Sequence, residues 1–237
     1  MNTPNFKIKQ SVSVVLFTFW AQIAFGQGSF QNLDFEAAVI SPPPAGYIPS
    51  DADNPISAAD ALPGWTVRED GIACDAVWGS PGLDVTSVVL ISGNTINYPP
   101  IQGAYSIQLS VNTYDPVYNQ SASISQTGLV PAGMHSIQFL VQYPYLQDIN
   151  DLLVTLNTTP IELVPIASAG QTVTMAGDIS DYAGTIAELK FTVLPSSFFG
   201  LDSIMFSPQA VPEPSMFSLF GLGLLGLGWH RRRRHLS

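Results

Sequence analysis

Between residues 27 and 210 the chain alternates apolar and polar side chains with a period of two, and this alternation constrains the fold more than any other feature. From Ala104 to Val111, Tyr105, Ile107, Leu109 and Val111 share one face, with Ser106, Gln108 and Ser110 on the other. From His135 to Tyr143, Ile137, Phe139, Val141 and Tyr143 oppose Ser136, Gln138 and Gln142. From Ile186 to Val193, Ala187, Leu189, Phe191 and Val193 oppose Glu188, Lys190 and Thr192. Shorter strand-like runs cover 30–36, 64–68, 85–91, 122–127, 152–157, 161–166, 171–175 and 201–206. Proline- and glycine-rich breaks separate them, with no long amphipathic helix and no internal repeat. About ten short strands, apolar inward and polar outward, predict an all-β two-sheet sandwich.

The charge distribution narrows the partners. Charged residues make up only 11% of the chain, under half the usual share, so the surface is mostly uncharged and polar. Of the eight basic residues, only Arg68 and Lys190 fall between the two ends. The body is therefore more acidic than the net charge of -10 suggests, and phosphate backbones would repel it. No nucleic-acid partner is expected. A single cysteine, Cys74, excludes an intramolecular disulfide. Stability must come from core burial, and Cys74 itself reads as a small buried hydrophobe.

The ends read as addressing segments. Lys7 and Lys9 precede an apolar run, Ser11 to Ala24, and Ala24-Phe25-Gly26 places small residues where a signal peptidase reads them. Residues 1–26 are expected to be a signal peptide, with the mature chain starting at Gln27. At the other end Val211-Pro212-Glu213-Pro214-Ser215 leads into Met216 to Trp229, then His230 and Arg231, Arg232, Arg233 and Arg234. Arginines behind an apolar segment form a cytoplasmic stop-transfer element. Met216 to Trp229 as a helix reaches about 21 Å, short of the roughly 30 Å bilayer core. So short a transmembrane helix suits a segment held briefly and then cut. Within it, Gly221 to Gly226 fits G-x-G-x-x-G, but no strand precedes it and no acidic residue follows, so a dinucleotide site is rejected.

Pro212-Glu213-Pro214, the apolar segment and the arginine cluster, in that order at residues 211–237, resemble the PEP-CTERM sorting signal of Gram-negative bacteria. The resemblance implies recognition by an exosortase, a membrane enzyme, and release or transfer to the cell surface or medium. The paired prolines keep the backbone extended just outside the membrane, as a protease requires.

Asn32-Leu33-Asp34-Phe35-Glu36, Gly103-Ala104-Tyr105-Ser106-Ile107-Gln108-Leu109 and Leu201-Asp202-Ser203-Ile204 come in the order seen in the galactose-binding-type jelly roll of carbohydrate-binding modules, which residues 27–210 resemble. That resemblance implies a structural Ca²⁺ held by Glu36 and Asp202, joining the first and last strands. Asp51-Ala52-Asp53 starts like an EF-hand loop, but Pro55 and Ile56 stand where a ligand and glycine are needed. Residues 41–63 form a long Pro- and Asp-rich loop. Sugar recognition uses flat aromatic faces with amide or carboxylate groups beside them, which selects Trp78, Asn112, Tyr114 and Asp115 as candidate carbohydrate contacts. Trp65 is expected in the core.

Catalytic sets are missing from the sequence. His135 is the only histidine outside the tail, on the face of Ile137 and Phe139, and reads as a packed or edge residue. No G-x-S-x-G elbow, H-E-x-x-H or Cys/His cluster occurs. The chain is expected to be a non-catalytic surface or matrix protein associated with extracellular polysaccharide, handled by signal peptidase and exosortase during export. The alternative is a small secreted glycoside hydrolase, which needs only two carboxylates.

Overall fold

The computed structural model describes residues 28–40, 55–79, 87–93, 99–111, 121–142 and 148–211. They form a two-sheet β-sandwich with very little helix. In chain order the strands are β1 (Pro55–Ser57), β2 (Thr66–Glu69), β3 (Ile72–Cys74), β4 (Ala76–Trp78), β5 (Ser87–Ser92), β6 (Tyr105–Ser110) and β7 (Ala122–Leu129). Then follow β8 (Ser136–Gln142), β9 (Leu152–Leu156), β10 (Thr159–Pro160), β11 (Leu163–Ala169), β12 (Thr172–Asp178), β13 (Ile186–Val193) and β14 (Phe198–Ser207). One short helix, α1 (Ala58–Ala61), follows β1. The larger sheet has the order β1-β4-β5-β6-β14-β8-β12-β11, and the smaller β10-β9-β13-β7-β2-β3.

Alternation explains how the sheets face each other. Paired residues point to the same side of a sheet, so rows across it can be read from the register. In the larger sheet Leu90, Ile107, Leu201, Val141 and Val173 form one such row. Val154, Phe191, Ile124 and Val67 answer it from the smaller sheet, and the row ends at Cys74 on the edge strand. Cys74 is therefore half-buried, and burial raises its thiol pKa. Phe139 from the larger sheet meets Phe191 from the smaller edge-on, centroids 5.1 Å apart. Trp65 lies 6.3 Å from Phe191 and Phe35 lies 5.8 Å from Trp65, which places Trp65 in the core as expected.

Two expectations fail for physical reasons. Residues 30–36 are no strand: Asn32 and Phe35 have φ of 48° and 59°, the left-handed region, and Asn32 Oδ1 closes a turn by accepting from Ala37 N at 2.9 Å. The turn drops Phe35 fully into the core, and that burial holds a bulky residue in an unfavourable conformation. The polar face of β6 does not look outward either. Ser106, Gln108 and Ser110 are at most 9% exposed, because the sheet is covered on both sides here. Ile101 supplies part of that cover, its N–H 3.4 Å from Ser106 Oγ and its Cδ1 3.2 Å from where a Cβ on Gly200 would lie.

Phe191→Ala should cost about 3–5 kcal/mol in denaturant unfolding, a large share of the roughly 5–15 kcal/mol that holds a domain together. A midpoint shift worth under about 1 kcal/mol would show that the two sheets do not rely on this contact.

Candidate functional site

The strongest cluster of chemistry among the described residues is built from both ends of the body. The turn at 32–37 delivers Glu36, and a bulge in β14 delivers Asp202. That bulge falls between Asp202 and Met205, with Ser203 at φ 50°. It lets Leu201 and Ile204 both reach the core while Asp202 turns to the opposite side. The two carboxylates converge on the segment before β6. Glu36 Oε1 accepts from Ala104 N at 2.8 Å and Tyr105 N at 3.1 Å. Asp202 Oδ2 accepts from Gln102 N at 2.8 Å, and its Oδ1 accepts from Ser203 N at 2.6 Å. Ser203 Oγ donates to Gln102 Oε1 at 2.6 Å. Gly103 makes this possible: it has φ 63°, and a Cβ there would lie 2.0 Å from Glu36 Oε1.

Electrostatically the pair is under tension. Asp202 is 1% exposed, and burial pushes its pKa from 3.8 to about 6. Hydrogen bonds from Gln102 and Ser203 oppose that rise, and the nearby Glu36 charge adds to it. The Glu36 and Asp202 carboxylates, Gln102 Oε1 and Ser203 Oγ are all oxygens, a donor set of the kind a hard cation takes. Among the described residues no three His, Cys, Asp or Glu side chains are grouped to hold a metal, so amide, hydroxyl and main-chain oxygens would have to complete such a site.

The expected carbohydrate contacts divide. Trp78 is half-buried on β4 and faces away from the core, into which its neighbour Val77 points. The register places it in one row with Val89, Gln108, Gly200, Gln142 and Thr172 across the outer side of the larger sheet. Gln108 and Gln142 are members that sequence alone does not select, since only pairing brings them into line with Trp78. Asn112, Tyr114 and Asp115 lie outside the described residues, as do Pro212, Glu213, Pro214 and Arg231 to Arg234.

His135 is neither packed nor part of β8. It precedes the strand and is exposed, with Nδ1 3.3 Å from Ser180 Oγ. Ser180 Oγ donates to Asp178 Oδ1 at 2.6 Å, and with Ser180 N it holds the Asp178 pKa below its ordinary value. The serine proton is directed at the carboxylate and not at the imidazole, so the three groups close a turn and do not form a relay. Among the described residues no helix is long and apolar enough to cross a membrane; residues 216–229 lie outside them.

A β-sandwich followed directly by a Pro-Glu-Pro motif, an apolar segment and arginines defines an exported protein with a terminal sorting signal. Residues 210–233 match the PEP-CTERM protein-sorting motif, which marks a secreted, exosortase-processed protein of Gram-negative bacteria. No curated relative matches the chain. Similar solved structures include TmCBM61 in complex with beta-1,4-galactotriose, at 14% identity and TM-score 0.37, covering 60% of this chain and 86% of that one. Another is a glycoside hydrolase family 43 arabinoxylan arabinofuranohydrolase from Bacillus subtilis, at 11% identity and TM-score 0.33, covering 62% and 28%. A third is the K1 cleaved adhesin domain of Lys-gingipain from Porphyromonas gingivalis W83, at 13% identity and TM-score 0.34, covering 67% and 95%.

The Asp202 environment fixes a sign. Its folded pKa of about 6 exceeds the ordinary 3.8. The folded state thus holds a proton that the unfolded state has lost, and the associated stability is present below about pH 4 and lost as pH rises through about 6. Glu69, also raised by burial, acts in the same direction. The melting temperature of the metal-free body should therefore rise between about pH 7.5 and about pH 5, and Asp202→Asn should remove most of the rise. A fall over that window would contradict this account.

Proposed function

We propose that the mature body is a non-catalytic, glycan-associated module of the cell surface or extracellular matrix, delivered there by its sorting signal. The observation that carries this reading is the placement of Trp78. A half-buried indole on the non-core side of the larger sheet offers an apolar face, with the half-buried amide of Gln142 further along the same side and Gln108, in the same row, covered. Sugars present both a C–H face and hydroxyl edges, so that pairing suits them. Val111, the last residue described before Asn112, Tyr114 and Asp115, hydrogen-bonds to Ser197 at the start of β14.

Calcium belongs to the same reading. Glu36 and Asp202 would hold a structural Ca²⁺, which would offset the repulsion between the exposed Glu36 and buried Asp202 carboxylates and join the first described segment to the last strand. A small hydrolase is the competing reading, because a raised carboxyl next to a second carboxylate is also what a glycosidase uses. Both Asp202 oxygens already accept main-chain N–H groups, which favours a holding role over an acid–base one.

Purified mature body should bind the native organism's extracellular polysaccharide without releasing reducing ends. Stacking aromatics supply about 1 kcal/mol each, so Trp78→Ala and Tyr114→Ala should each weaken binding about fivefold while barely moving the melting temperature. Release of reducing ends would establish the hydrolase instead. Separately, a chelator should lower the melting temperature at neutral pH, since calcium at a hundredfold over its Kd would add about 2.7 kcal/mol. An unchanged transition with EDTA and with added Ca²⁺ would remove the metal from this account.

A further inference from the structure

The body does not end in a loose tail. Beyond β14 the chain is held to the start of β8 by a small polar latch. His135 N donates to Ser207 O at 2.8 Å, closing the ladder. Ser136 Oγ, on a residue with no exposed surface, donates to the main-chain oxygen of Gln209 at 2.7 Å. Ser207 Oγ donates to Gln209 Oε1 at 2.6 Å and accepts from Gln209 N at 3.2 Å. Gln138 Nε2 braces Ser136 Oγ from the next inward position on β8, at 3.4 Å.

The sorting motif matches from residue 210, immediately after this latch. Only Ala210 and Val211 separate Gln209 from Pro212. Three Cα steps span at most about 11 Å, so an enzyme that takes the motif as an extended segment must come up against the folded body. Loops 130–135 and 179–185 flank the latch, are rich in small and turn-forming residues such as Ala132, Gly133 and Gly184, and contain no lysine or arginine. The first described residues also lie at this end, where Leu129 N donates to Gly28 O at 3.0 Å and the Phe30 ring packs at a tilt 5.1 Å from Phe206.

We propose that Ser136, Ser207 and Gln209 are positioning residues for exosortase processing. They hold the approach to the Pro-Glu-Pro motif against the folded sandwich, so that processing waits for residues 207–209 to undock. Local openings of this kind at chain ends cost far less than global unfolding, so the latch sets a rate and does not block the reaction. This inference is independent of what the body binds.

The test uses the full-length chain in an exosortase-bearing Gram-negative host, with a strain lacking the enzyme as the unprocessed baseline. Conversion of precursor to mature protein is followed by pulse-chase, and mass spectrometry of the product confirms loss of the arginine tail. A six-residue Gly/Ser insertion between Gln209 and Ala210 leaves every bond of the latch intact but frees the approach to the motif. Processing should quicken about fivefold in the double variant Ser136→Ala, Ser207→Ala, the factor for one net hydrogen bond, and by at least as much in the insertion variant, where no undocking is needed. The melting temperature of the insertion variant's secreted product should match that of wild type. If the double variant fails to fold, the insertion alone decides. Rates within about 1.5-fold of wild type, or slower processing on insertion, would overturn the proposal.

Discussion

The edge-on contact between Phe139 and Phe191 is where the two sheets meet, and the rest of the structure follows from it. With one cysteine and no disulfide available to it, the body depends on apolar burial for its stability. From Phe191 the aromatic contacts continue through Trp65 to Phe35, while Trp65 Nε1 donates to Asn32 O at 3.0 Å. That chain of rings docks the turn at 32–37 onto the core. Glu36 is next to the buried Phe35, so the reach of its carboxylate to Ala104 and Tyr105 is inherited from packing and not from a strand.

Sequence periodicity located the strands whose two faces differ and blurred where they do not. β13 was fully legible, because Lys190 and Glu188 alternate with buried Leu189 and Phe191. On β6 the apolar face was legible, but the covered second face was not, since Ser106, Gln108 and Ser110 look identical in sequence whether wet or buried. The apolar rhythm of Phe30, Leu33 and Phe35 resembled a strand, yet left-handed backbone at Asn32 and Phe35 cannot be read from residue type alone. Strands of three residues, β1, β3 and β4, are too short to show alternation. Asp70-Gly71, with φ of 54° and 77°, forms the hairpin turn between β2 and β3.

For the candidate site, the sequence supplied the chemistry and not the neighbourhood. Glu36 and Asp202 are 166 positions apart, and their convergence depends on a turn, a bulge and a glycine. Gln108 and Gln142 joined Trp78 only through strand register, which sets which side chains share a row. The sorting tail was legible because its signal is linear: order and proximity along the chain are the information it carries.

The position of β14 has a mechanical consequence. It is interior to the larger sheet, antiparallel to β6 on one side and β8 on the other, and the sorting motif follows its last residues. A pull applied at that end runs along the strand axis, while the ladder bonds lie across it. The load is therefore taken in shear, by the β8 ladder at Met205, Phe206 and Ser207 and then by the β6 ladder at Phe198 to Leu201, instead of peeling one bond at a time. A molecule held to a cell by this end and to its surroundings by the other would yield late under flow.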